Sequence, residues 1–212
     1  MPYLFNRTGR LAPGNLMDAM SWAVAITEKV NSVADTPVSL WSTTLSPRVG
    51  TLAWTTIVSD LAELSAIEEK LLADGGYLEM VEKGAGFLSP EGLDDAVVSI
   101  VHAHPYERET LQYAAITTAT LAPGEAVSGV QLGVEIADRV HAVSGCATVF
   151  GTSLTGAYGE VGWIALCDSI EQVQHLNESL AADQAWLTML DERASKVYSP
   201  GSGMRQISRK IA

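Results

Sequence analysis

The sequence predicts an α+β fold built from two tandem βαββαβ repeats. Three observations carry that prediction: an internal duplication, the same order of periodic segments in each half, and a composition able to fill a core. Leu11-Ala12-Pro13-Gly14 recurs as Leu121-Ala122-Pro123-Gly124, and seven of the twenty positions from Leu11 to Val30 are identical to those 110 residues further on. Unrelated stretches agree at roughly one position in fifteen. With a slip of one residue, Gly50/Gly159, Trp54/Trp163, Asp74/Asp183 and Met80/Met189 fall into line; Ser89-Pro90 then lies on Ser199-Pro200 with the slip undone. Of the 212 residues, 47% are hydrophobic and 18% charged, which suits a folded chain with a sizeable core and not a disordered one.

Each half reads strand, helix, strand, strand, helix, strand. β-prone runs at about 2–10 and 112–120 open the halves. Pro-Gly precedes helices predicted over 15–34 and 125–144, proline being tolerated near a helix start. Ala19, Ala23, Ile26, Val30 and Val33 form one apolar stripe, and Gly129, Gly133, Ile136, Val140 and Val143 form its counterpart. Hairpins follow at 37–58 and 146–167, turning at Ser46-Pro47-Arg48 and Thr155-Gly156-Ala157. Ser59-Asp60 and Asp168-Ser169 offer N-caps for second helices with stripes at Leu61, Leu64, Ile67, Leu71 and Ile170, Val173, Leu176, Leu180. Short helices are expected at 77–83 and 186–194, and last strands at about 94–102 and 203–211. Residues 1–104 make the first repeat, 105–111 a linker broken by Pro105, and 112–212 the second repeat.

A βαββαβ unit is the ferredoxin-like split βαβ arrangement, with two helices on one face of an antiparallel sheet. Its bare face needs a cover, and a second equivalent sheet in the same chain supplies one. On this element order and duplication the chain resembles the dimeric α/β-barrel superfamily, as a tandem fused member close in kind to antibiotic-biosynthesis monooxygenases, NIPSNAP-type and EthD-type proteins. The resemblance implies two ferredoxin-like repeats packed sheet-to-sheet as an intramolecular α/β barrel. It also implies a small hydrophobic ligand, held between sheet and helices or in the central space. The fold does not specify the activity.

A formal charge of −12 and a pI near 4.6 argue against nucleic acid or an anionic membrane as partner. No apolar run reaches the roughly 18 residues of a membrane span. The opening MPYLFNRTGR lacks a signal peptide's apolar centre, and two cysteines outside any CxxC make no disulfide framework. A cytoplasmic protein is expected, with a homodimer left open; since the fused pair covers both sheets, any dimer would use helix faces or edge strands.

Trp54 and Trp163 stand out because the duplication keeps both. The first hairpin is expected to set Trp41 opposite Trp54, whereas Gly151 at the equivalent place would open space beside Trp163 for a flat ligand. Ordinary core packing of the indoles is the competing reading. His102 and His104 share a face if their strand continues. His-x-His can hold a metal, but no third ligand stands at a fixed spacing and Pro105 suggests that the strand ends. They are therefore read as proton-transfer candidates, and no metal is assigned. The register around Cys146 and Cys167 leaves open whether they are neighbours.

The resemblance adds Asn6. Haem-degrading members use an Asn on the first strand, a Trp in the sheet and a His on the second helix. Asn6 and Trp54 match the first two roles, but the second helix of that half carries no His. The other half has His175 and Trp163, with Ile116 at the Asn6 position. The triad is complete in neither half, so the reading assigns no cofactor, and haem is retained only as the alternative. Two functions follow. One is a cofactor-independent, monooxygenase-like enzyme acting on a flat hydrophobic substrate, with Asn6, His102 and His104 catalytic and Trp41, Trp54, Gly151, Trp163 and His175 lining the ligand. The other is a non-catalytic ligand-binding or self-assembling barrel.

Overall fold

The computed structural model describes all residues, Met1–Ala212. The first half comprises β1 (Tyr3–Leu11), α1 (Leu16–Val33), β2 (Ser39–Thr44), β3 (Thr51–Val58), α2 (Leu61–Leu72), α3 (Gly75–Gly84) and β4 (Leu88–Ala103). The second repeats the order: β5 (Tyr113–Thr120), α4 (Ala126–Ser144), β6 (Ala147–Ser153), β7 (Glu160–Cys167), α5 (Ile170–Ala182), α6 (Gln184–Met189) and β8 (Met204–Lys210). The expected helix over 186–194 leaves α geometry at Leu190 and continues as a π-helical turn to Ala194. β4 starts at Leu88, earlier than expected; Pro90 lies near its start, where a missing N–H is tolerated.

Local chemistry explains the repeated elements. Asp60 accepts the Glu63 N–H while Glu63 accepts the Ser59 N–H, and Ser169 and Gln172 do the same with Asp168. Both second helices therefore begin with the same reciprocal pair of bonds, a variant of the capping box in which the N3 side chain holds the N–H of the residue before the cap. Asp74 and Asp183 cap α3 and α6. Gly50 and Gly159 sit at φ 87° and 79° in the two hairpins, a left-handed conformation that favours glycine and accounts for their recurrence.

The strands are ordered β4-β1-β3-β2 in the first half and β8-β5-β7-β6 in the second. Within each half the order is 4-1-3-2, that of the ferredoxin-like unit. The chain divides into two compact units, Met1–Val97 with Lys210–Ala212, and Val98–Arg209, so the boundary falls inside β4. In the first unit Trp22, Ala23, Ile26, Leu40, Leu52 and Trp54 form the core between sheet and helices. In the second, Leu132, Ile136, Phe150, Val161, Trp163 and Leu176 belong to the corresponding core. No helix is long and apolar enough to cross a membrane.

Candidate functional site

The end of β4 pairs with β6, and its register shifts between Ile100 and His102. Such a bulge re-aims the side chains that follow it. His102 and His104 consequently meet α4: His102 Nε2 lies 2.9 Å from Asp138 Oδ1, and His104 Nε2 lies 3.2 Å from the same oxygen. His104 Nδ1 is 3.1 Å from the Thr148 carbonyl oxygen, which only accepts, so that nitrogen donates. One turn along α4 from Asp138, His141 stacks on the His104 ring at 4.0 Å and donates from Nδ1 to the Cys146 carbonyl at 2.9 Å. The His104 side chain is 13% exposed, His102 31% and Asp138 56%, so the cluster is anchored at one side and open to water at the other. The two histidines do share a face, and Asp138 and His141 join them. Sequence spacing could not find these partners, because they come from another element. A signal was nevertheless present: the duplication aligns Asp138 with Glu28 and His141 with Asn31.

Beside this cluster the two cysteines are neighbours. Cys146 and Cys167 extend the β6–β7 ladder one step beyond Ala147 and Leu166, with sulfurs 3.5 Å apart and both side chains buried as free thiols. Donation from the Cys167 thiol draws Cys146 down to about 7. Cys167 is pushed up by giving that hydrogen bond and by burial.

The indoles are placed differently from the expectation. Trp54 lies opposite Leu40, and Trp41 opposite Ala53. A one-residue difference in register sends a side chain to the other face, so Trp41 and Trp54 do not meet. The Trp54 N–H donates to Thr27 Oγ1 at 2.9 Å, and its ring packs edge-on against Trp22. Trp163 lies opposite Phe150 and stacks on it at 5.2 Å, with its N–H on the Gly133 carbonyl at 2.8 Å and its ring edge-on to Tyr198. Gly151 faces Gly162 instead, and a Cβ there would lie 2.5 Å from Val98 Cγ1 and 2.8 Å from the Ser99 carbonyl oxygen. The expected opening beside Trp163 is filled by Phe150.

Asn6 pairs with Thr55, whose hydroxyl accepts the Trp41 N–H at 2.9 Å. Trp54 faces α1, so Asn6, Thr55 and Trp41 share the other face of the first unit's sheet. The buried Asn6 Oδ1 has no hydrogen-bond partner. His175 is exposed on α5 and reaches only Ser179 Oγ, at 3.3 Å.

No protein-family model matches the sequence, and no curated protein does. The fold recurs in solved structures at low identity. A candidate monooxygenase from Fusobacterium nucleatum subsp. nucleatum ATCC 25586 matches with TM-score 0.75 at 11% identity, over 100% of this chain and 93% of its own. An anthrone oxidase-like protein gives 0.67 at 12%, over 100% and 91%. A haem-binding protein from Thermus thermophilus gives 0.53 at 11%, over 100% and 91%. The chain thus shares the ferredoxin-like fold of these structures. The haem residues suggested by that resemblance do not fit: His175 points to solvent, and the side chains of Phe150 and Tyr198 occupy the space next to Trp163.

Proposed function

We propose that the chain is a small-molecule enzyme of the monooxygenase-like kind, acting on a flat hydrophobic substrate through the His102–Asp138–His104 cluster. One observation carries this reading: two imidazole nitrogens converge on a single carboxylate oxygen at 2.9 and 3.2 Å, at a site part open to water. A carboxylate orients an imidazole for proton transfer, and His is the side chain suited to that task near neutral pH. Taking a proton from an acidic C–H or O–H of an electron-rich aromatic leaves an anion that itself donates electrons to dioxygen, so no cofactor is required. Anthrone serves as the probe, on the strength of the anthrone oxidase-like neighbour. Oxygen uptake with anthrone is expected for the wild type and is expected to fall at least tenfold in His104→Gln. Undiminished uptake in that variant, or none in the wild type, overturns the reading.

The second reading is a non-catalytic binding or structural protein. It is favoured by the packing of both recurrent indoles, since Trp54 and Trp163 are each buried, hydrogen-bonded and packed against other rings. Quenching of tryptophan fluorescence by anthrone without oxygen uptake supports it.

A further inference from the structure

We propose that His102, His104 and Asp138 form a binding site for a divalent first-row transition-metal ion. One ring nitrogen from each histidine and a carboxylate oxygen of Asp138 all lie within 4.8 Å of one another. The two separations involving Asp138 Oδ1 are 2.9 and 3.2 Å. In a tetrahedral centre with metal–ligand bonds of about 2.0–2.1 Å, neighbouring ligand atoms stand about 3.3 Å apart. The observed spacing is close to that edge, so an ion can enter with small side-chain shifts.

The protonation geometry points the same way. His104 donates from Nδ1 to the Thr148 carbonyl. In the neutral ring this leaves the Nε2 lone pair aimed at Asp138 Oδ1, itself an acceptor. Two acceptors at 3.2 Å repel unless a proton or a metal ion lies between them. A histidine whose other nitrogen donates to a backbone carbonyl has the fixed tautomer and ring orientation typical of a metal ligand. Stacking of His141 on His104 adds a second restraint. The partial exposure of His102 and Asp138 leaves room for a water or substrate in the remaining coordination position, the open arrangement of catalytic sites. Two imidazoles and one carboxylate suit zinc, iron(II), cobalt or manganese ions; calcium and magnesium prefer all-oxygen sets. The first half offers an internal contrast: Glu28 and Asn31 replace Asp138 and His141, and all four histidines lie beyond residue 101.

This inference does not depend on the oxygenase reading: it requires only that a metal ion displace the proton at the cluster. Zinc(II) is the probe, titrated by calorimetry into the chelator-treated full chain. One ion is expected per chain, with Kd raised at least tenfold in His102→Ala and in Asp138→Asn. Zinc is also expected to raise the melting temperature of the wild type but not of Asp138→Asn, whose circular dichroism reports whether it is folded. Cys146→Ser is expected to bind zinc as the wild type does. Absence of saturable binding overturns the proposal. So does binding unchanged in Asp138→Asn, or binding lost in Cys146→Ser, which would assign the ion to the thiols. Oxygen uptake plays no part in this test, so it can fail without the functional reading failing, and the reverse also holds.

Discussion

The two halves share one fold but fill its core with different residues. In the first, Trp22 from α1 packs against Trp54, with Leu40 opposite Trp54. In the second, the large ring comes from the sheet: Phe150 stands at the Leu40 position and Leu132 at the Trp22 position. Each ring sits against a glycine on a helix. A Cβ on Gly84 would lie 2.0 Å from the Trp22 ring, and one on Gly133 2.1 Å from Phe150. A core tolerates such exchanges when total volume and pattern are kept. The polar chemistry is not exchanged in this way. Both thiols and all four histidines belong to the second unit, whereas the first has Glu28, Asn31, Thr36 and Val58 at the positions of Asp138, His141, Cys146 and Cys167. Asn31 uses both ends of its amide on the Val38 backbone, a structural bracket, while His141 makes one such bond and gives its ring face to His104. The two halves share the scaffold, while the thiols and histidines lie in one of them.

Breaking the volume exchange should give the largest effect. Gly133→Ala is expected to cost about 1–3 kcal/mol by overpacking against Phe150. Adding Phe150→Leu, which restores the first half's pairing of Ala23 with Leu40, should make the double variant more stable than the two single costs predict. Urea unfolding of the three variants measures the coupling, and simple additivity would refute the exchange.

A smaller effect separates the indoles. The Trp54 N–H relies on a side chain, Thr27 Oγ1, which itself donates to the Ala23 carbonyl; the Trp163 N–H uses the Gly133 carbonyl. Thr27→Val, nearly isosteric, is expected to cost about 1–2 kcal/mol by leaving the buried indole N–H unpaired. An unchanged melting temperature would show that the first half does not depend on that bond.

The smallest effect concerns a feature the halves share. Hydrogen bonds from Lys29 and Arg139 lower the carboxyl pKa of Asp74 and Asp183 below the ordinary 3.8. Because the folded value is depressed, the stabilisation is present above 3.8 and is lost as pH falls through the folded values. Asp74→Asn and Asp183→Asn should each make the fall in urea midpoint between about pH 5 and pH 2 shallower, and only slightly, since both pairs reach solvent. A steeper fall in either variant would contradict the assignment.

What the sequence determined by itself was the repeat, the order of the elements and the apolar stripe of each helix. These follow from short-range rules. A helix repeats every 3.6 residues, Asp60 and Ser169 cap the helices that immediately follow them, and Gly50 and Gly159 mark turns that need a left-handed backbone. The histidine pair was legible as a pair for the same reason, two residues apart on one strand. What the tertiary structure alone decided depends on how the strands pair and on contacts between elements. The pairing of β2 with β3 turned Trp41 away from Trp54, and that of β6 with β7 placed Phe150 instead of Gly151 against Trp163. The bulge after Ile100 carried His102 and His104 to Asp138, thirty-four residues beyond His104, and set the site. Register and bulge are fixed by hydrogen bonds between paired strands. Because strand side chains alternate faces, a shift of one residue changes every contact made, and composition and spacing along a single strand do not encode that shift.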